Sequence, residues 1–274
     1  MSNKKFTCKI AFFSRETSLM ILAFSGAHVA FAATTAMQAI APLDSAATSF
    51  KPYVLEQIDA SLAATRAMRD RIASSDLAGA QKAWLAARDG WERSEIVAAE
   101  LFPDLDRAID AWPDARKGFH AIEARLFGAH NVDALGAADE LVGNLTDFER
   151  QLRATSLRAQ ALLNGTTRLL YEVGEDKAGG GESPFSGNSL QEVVSNAMAI
   201  TSAYDRVFAQ ALQRKNVPLA QVIAGNLARL RQLVGVPDLK QLDAAQLRDL
   251  TETLTSNFIA AARDLGLEAP ELGN

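Results

Sequence analysis

The stretch from Asp76 to Phe102, DLAGAQKAWLAARDGWERSEIVAAELF, decides the fold. Trp84, Ala87, Trp91, Ala98 and Phe102 recur at helical steps and form one apolar stripe. Asp76 stands where its carboxylate can accept hydrogen bonds from the free amides of a first turn. The place between Trp91 and Ala98 on the stripe is taken by Glu95, so a carboxylate occupies a core position. Glu92 lies three residues earlier, about 60° round the helix, and both side chains can converge on one point. A carboxylate buried alone is costly, so such a residue is paired with a base, hydrogen-bonded or bound to metal. Arg88 and Arg93 are close enough in sequence to make the ion-pair reading the ordinary one.

Working outward, the same periodicity recurs nearly everywhere after Phe50, with few β-branched runs. It predicts helices over 46–74, 76–101, 114–128, 133–155, 157–176, 189–214, 218–234 and 243–265. Asp243 is a second N-cap, and Pro113 and Pro218 suit first turns, where a missing N–H costs nothing. Phe102 to Trp112, rich in Asp and Pro, and Ala178 to Asn188, with three consecutive glycines and Pro184, read as loops. The fold class is all-α, expected as two packed four-helix-type bundles in one compact body.

The first eighteen residues carry Lys4, Lys5, Lys9 and Arg15 against Glu16, and an apolar run from Leu19 ends in Ala30-Phe31-Ala32. That pattern is a cleavable signal peptide over 1–32, followed by one domain over 33–274. Cys8, the only cysteine, lies before the apolar run and cannot carry a lipid anchor on the processed chain. The leader holds four of the 28 basic and one of the 33 acidic residues, which leaves a balance of −8. An acidic surface without a basic stripe argues against nucleic acid and membrane insertion and is compatible with cation binding.

Gly118-Phe119-His120-Ala121-Ile122-Glu123 places His120 and Glu123 on one face beside an apolar stripe of Phe119, Ile122 and Leu126. A His-x-x-Glu pair facing carboxylates on a neighbouring helix is how helical bundles build iron and manganese sites. Alone, the pair more often means a half-buried histidine beside an acid. Glu92 and Glu95 make a second pair at the same spacing. Between the two pairs lie Asp104, Asp106 and Asp110, any of which could reach the site, although aspartates in such a segment are ordinarily turn-formers and solvated caps. Glu182 follows a glycine run that permits close backbone approach. His130, at a helix end, complements the helix dipole instead.

Taken together, Trp91-Glu92-Arg93-Ser94-Glu95, Leu101-Phe102-Pro103-Asp104-Leu105-Asp106 with Ile109-Asp110, and Gly118-Phe119-His120-Ala121-Ile122-Glu123 resemble the imelysin-like domain of EfeO/EfeM-type proteins, whose signature is Gly-x-His-x-x-Glu. The likeness continues through Leu169 to Val173 and from Gly181 to Ser186, and the chain looks like the short EfeM form rather than one with an added cupredoxin domain. The resemblance implies a periplasmic protein of an iron-uptake system. Its metal-site residues would be Glu92, Glu95, Asp110, His120, Glu123 and Glu182. Its cargo would be Fe2+ or Fe3+, with zinc or copper as alternatives. The partners implied are an inner-membrane iron permease and, as a further candidate, a periplasmic haem peroxidase. Carboxylate oxygens with one imidazole suit iron, and the lack of thiolate tells against a structural zinc or copper(I) site. The competing reading is a zinc-dependent metallopeptidase of the imelysin-like class. A hydrolytic site needs three protein ligands, an open water position and a base, and the sequence has neither His-Glu-x-x-His nor a second well-placed histidine. Binding is therefore expected over catalysis.

Overall fold

The computed structural model describes residues 18–111 and 117–270, with side chains from residue 41 onward. The chain divides between Ala39 and Ile40 into two units, and every candidate site residue lies in the second. α1 runs Ser18–Ala73, so it begins well before the expected start at 46. Residues 18–45 are rich in alanine, the best helix former. The first half of the expected leader, residues 1–17, lies outside the described residues.

α2 (Leu77–Ser94) is capped by Asp76, whose Oδ1 accepts from the Gly79 amide at 2.9 Å. It passes through a 3-10 turn, Glu95–Val97, into α3 (Ala98–Leu101). The expected loop over Phe102 to Trp112 is a helix for most of its length, α4 (Pro103–Ile109). Pro103 sits in a first turn, Asp104 and Asp106 complement the N-terminal dipole, and Ile109 anchors the other end in the core. Trp112 and Pro113 lie outside the described residues. α5 (Gly118–Glu123) continues into a π-helical turn, Ala124–Gly128. α6 (Leu135–Ala154) and α7 (Ala159–Glu172) follow, the latter ending in a second π-helical turn, Val173–Lys177. Residues 178–188 form turns, as expected. The remaining helices are α8 (Ser189–Ala203), α9 (Ala209–Lys215), α10 (Val217–Val234) and α11 (Ala244–Leu265). Pro218 stands in the first turn of α10, and Asp243 caps α11 through the Gln246 amide at 3.0 Å.

Within the second unit the helices fall into two groups. The C-terminal half of α1 packs on α2, with the Ser61 hydroxyl donating to the Ala87 carbonyl at 2.8 Å, and α2, α5 and α6 complete that group. α7, α8, α10 and α11, with the short α9, form the other. One hydrophobic core runs through both. α8 lies along α2, and α7 lies against the Glu95–Val97 turn, so the seam between the groups falls where the sequence puts Glu92 and Glu95. Among the described residues there is no strand, and no helix is long and apolar enough to cross a membrane.

Candidate metal centre

The stripe of α2 is buried as its spacing requires: Trp84, Ala87 and Trp91 are fully covered, and so are Arg88 and Glu92 beside them. Arg88 lies at the heart of the seam. Its guanidinium pairs with Glu92 one turn on, with Asp110 Oδ1 at 2.7 Å, with Glu192 Oε1 at 3.0 Å and with Glu182 Oε1 at 3.4 Å. A planar group with five donors in a fixed fork can serve four carboxylates at once, more than the three donors of a lysine ammonium. Arg93, the other expected base, turns to Asp89 instead.

Two close backbone approaches hold the surrounding elements in register. Gly118 has φ +66°, and a Cβ there would lie 2.1 Å from the Ile109 carbonyl, so only glycine lets the start of α5 pass the end of α4. That passage brings Asp110, at the end of α4, to His120 on α5: Asp110 Oδ1 is 2.9 Å from His120 Nε2, while its Oδ2 accepts from Trp91 Nε1 at 2.7 Å. Gly165 on α7 faces the Ile96 carbonyl, which a Cβ would approach to 1.7 Å, and so seats α7 on the turn that carries Glu95.

Glu123 is fixed from outside. Its Oε1 accepts from the amides of Phe185 and Ser186 and from the Ser186 hydroxyl, and its Oε2 lies 3.3 Å from His120 Nδ1. A carboxylate on one ring nitrogen orients the ring and leaves the other nitrogen to face the site. Here that other nitrogen faces Asp110. Ligand-capable atoms of Asp110, His120 and Glu182 all lie within 4.8 Å of one another, as do those of Glu92, Glu182 and Glu192. Glu182 belongs to both sets and is loosely held, with its nearest bases, Arg88 and Lys177, each at 3.4 Å.

Acid outweighs base here. Glu92, Glu95, Asp110, Glu123, Glu182 and Glu192 are covered, facing Arg88, Lys177 and His120. Burial without enough counter-charge pushes the Glu92 carboxyl up to about 8 and that of Glu95 to about 7, and drives Glu182 well above its ordinary range. For Asp110 burial acts the same way, but the Arg88 guanidinium and the His120 hydrogen bond outweigh it and hold the carboxyl well below the usual range. His120 would be lowered by burial, yet its bonds to Asp110 and Glu123 push the imidazolium up to about 9. The cluster therefore stores protons at neutral pH, which a cation of high charge could displace. Its donors are carboxylate oxygens and one imidazole, a set that fits iron and includes no thiolate.

Of the six expected residues, Asp110, His120 and Glu182 converge most closely, Glu92 and Glu95 lie alongside, and Glu123 acts on His120 rather than on the shared space. Asp104 is exposed and pairs with Arg107, and Asp106 turns toward Arg168. His130 is exposed, on positive φ, away from the cluster. Sequence reasoning missed Lys177, Glu192 and Asn196, the last donating to Glu92 Oε2 at 2.9 Å.

Residues 46–262 match the family model for imelysin (Peptidase_M75). The chain belongs to the imelysin family. The imelysin match spans every residue of the cluster, from Arg88 to Asn196. Among characterised relatives, the chain is similar to the iron uptake system component EfeO of Escherichia coli O1:K1 / APEC, 28% identical over an alignment 244 positions long that covers 83% of this chain and 64% of that protein. It is also similar to the iron uptake system component EfeM of Pseudomonas syringae pv. syringae (strain B728a), 26% identical over an alignment 215 positions long that covers 75% of this chain and 73% of that protein. The chain thus spans less than two thirds of the length of the EfeO relatives it matches.

Proposed function

We propose that this imelysin is a periplasmic component of an iron-uptake system that binds the cation at the seam between its two helical groups and passes it to an inner-membrane permease. The observation that carries the reading is the convergence of Asp110, His120 and Glu182 on one buried space, with Glu123 presenting His120 to it. The relatives named as iron uptake components point to the same cargo. Asp110, His120 and Glu182 would hold the ion, Glu92 and Glu95 would supply further oxygens, and Glu123 would orient the imidazole. Residues 1–32 would be removed on export, leaving 33–274 as the working domain, and the acidic surface would raise the local cation concentration.

Calorimetric titration of the metal-stripped protein with iron(II), iron(III), zinc and copper(II), beside a His120→Ala/Glu123→Ala variant, tests this. Saturable binding that the variant loses, with iron preferred over zinc, is the expected result. Equal binding by the variant, or none by either protein, would remove the assignment.

A further inference from the structure

Lys177 has no place in the ligand set, yet it occupies the middle of it. Its side chain is 2% exposed, and its ammonium lies 2.6 Å from Glu92 Oε2, 3.0 Å from Glu95 Oε2 and 3.4 Å from Glu182 Oε2. Three carboxylates, two from the end of α2 and the 3-10 turn that follows it and one from the turns after the π-helical turn, thus converge on one nitrogen, as they would on a small cation. The lysine is carried by the π-helical turn Val173–Lys177, immediately before the glycine-bearing turns that bring in Glu182. Between α7 and the α3–α4 segment opens a polar cleft of about 730 Å³, whose wall includes Asp106, Arg168, Glu172 and Asp176. Asp176 directly precedes the lysine.

Resting on the metal-binding reading above, we infer that Lys177 is a tethered counter-ion that competes with the cargo for Glu92, Glu95 and Glu182 and swings out of the cluster when a metal ion enters. Arg88 and Lys177 divide the neutralising work by their chemistry. The Arg88 fork is fixed by four carboxylates at once and stays as a frame. The Lys177 ammonium is a single point of charge on a flexible stem and can leave without dismantling that frame. A metal ion seated between Asp110, His120 and Glu182 shares Glu182 with the ammonium, so the two positive charges repel and only one can hold that carboxylate well. Lys177 thereby weakens binding and sets the affinity at which cargo can be given up again. No covalent step is involved: one cation replaces another on the same oxygens.

The test is titration of the full chain with iron(II) under anaerobic conditions, comparing wild type, Lys177→Met and Lys177→Arg. Lys177→Met is expected to bind at least ten-fold more tightly than wild type, and Lys177→Arg, whose fork would stay on the carboxylates, several-fold more weakly. Unchanged or weaker binding by Lys177→Met, with wild type binding normally, would overturn the role of Lys177 while leaving the metal site standing. Failure of all three to bind would remove the metal reading and the inference with it. Should Lys177→Met not fold, wild-type protein serves on its own. Pulse labelling with a water-soluble amine-acylating reagent, read by mass spectrometry, should modify Lys177 several-fold faster in iron-loaded than in metal-free protein. Equal labelling would contradict the displacement.

Discussion

At the scale of single residues, His120 and Glu123 have separable tasks although they sit three positions apart on one helix. His120 presents Nε2 to Asp110, whereas Glu123 spends one oxygen on two amides and a hydroxyl and the other on Nδ1. His120→Ala should therefore remove a ligand and abolish saturable iron binding. Glu123→Gln should leave the ligand in place but poorly oriented, and is expected to weaken iron(II) binding about 10- to 100-fold by calorimetry. Equal losses would mean that Glu123 is itself a ligand. Protons enter the same competition. With His120 held protonated up to about 9 and Glu92 up to about 8, each proton expelled by the metal makes affinity rise with pH, by about ten-fold per pH unit for each proton displaced. Titration of iron(II) between pH 6 and 8 in buffers of different ionisation enthalpy should show both the rise and the released protons.

Among the elements, what the sequence made legible was the periodic part. The stripe of α2, the caps at Asp76 and Asp243 and the first-turn Pro218 all stand where spacing put them. Glu95 was visible because it interrupts an apolar stripe, and Glu192 and Asn196 could have been found in the same way, as polar residues one turn apart on the buried face of α8. Lys177 could not, because the π-helical turn that carries it breaks the register on which such reasoning depends. Arg88 was legible as a partner for Glu92, but its hold on Asp110, Glu182 and Glu192 depends on contacts made across the seam. α4 was misread as a loop because its aspartates, as first-turn residues, resemble turn-formers. The two glycine contacts carry a prediction of their own. Gly165→Ala would drive a methyl group into the Ile96 carbonyl, and the helix and the Glu95 turn would have to part. A loss of roughly 1–3 kcal/mol in denaturant unfolding is expected, together with weaker metal binding. Gly143→Ala, whose added Cβ would meet no packed neighbour within 4 Å, is the control and should do neither.

For the molecule as a whole, burying more acid than base ties stability to pH in an unusual direction. Burial raises Glu92 to about 8 and Glu95 and Asp106 to about 7, and His120 is raised to about 9 by its bonds to Asp110 and Glu123 against the opposing effect of burial, so the folded chain binds more protons than the unfolded chain between pH 5 and 9. The contribution of each group is complete below its unfolded value and is lost as pH climbs through its folded one. The depressed carboxyls, Asp110 and Glu192, contribute stability that is lost only in acid and do not offset this trend. Metal-free protein should therefore melt at a temperature on the order of 5–10 °C lower at pH 8.5 than at pH 5.5, and bound iron should reduce the difference. A melting temperature that rises across that range would show that the cluster is not charge-starved.

The central claim is that Asp110, His120 and Glu182 share one cation. Anomalous diffraction at the iron edge from crystals of the iron-loaded protein tests it most directly. The predicted result is a single anomalous peak within coordination distance of His120 Nε2 and of carboxylate oxygens from Asp110 and Glu182, with Glu123 still on Nδ1. A peak elsewhere, in the outer cleft or on the surface, with His120 and Asp110 still paired, would contradict it.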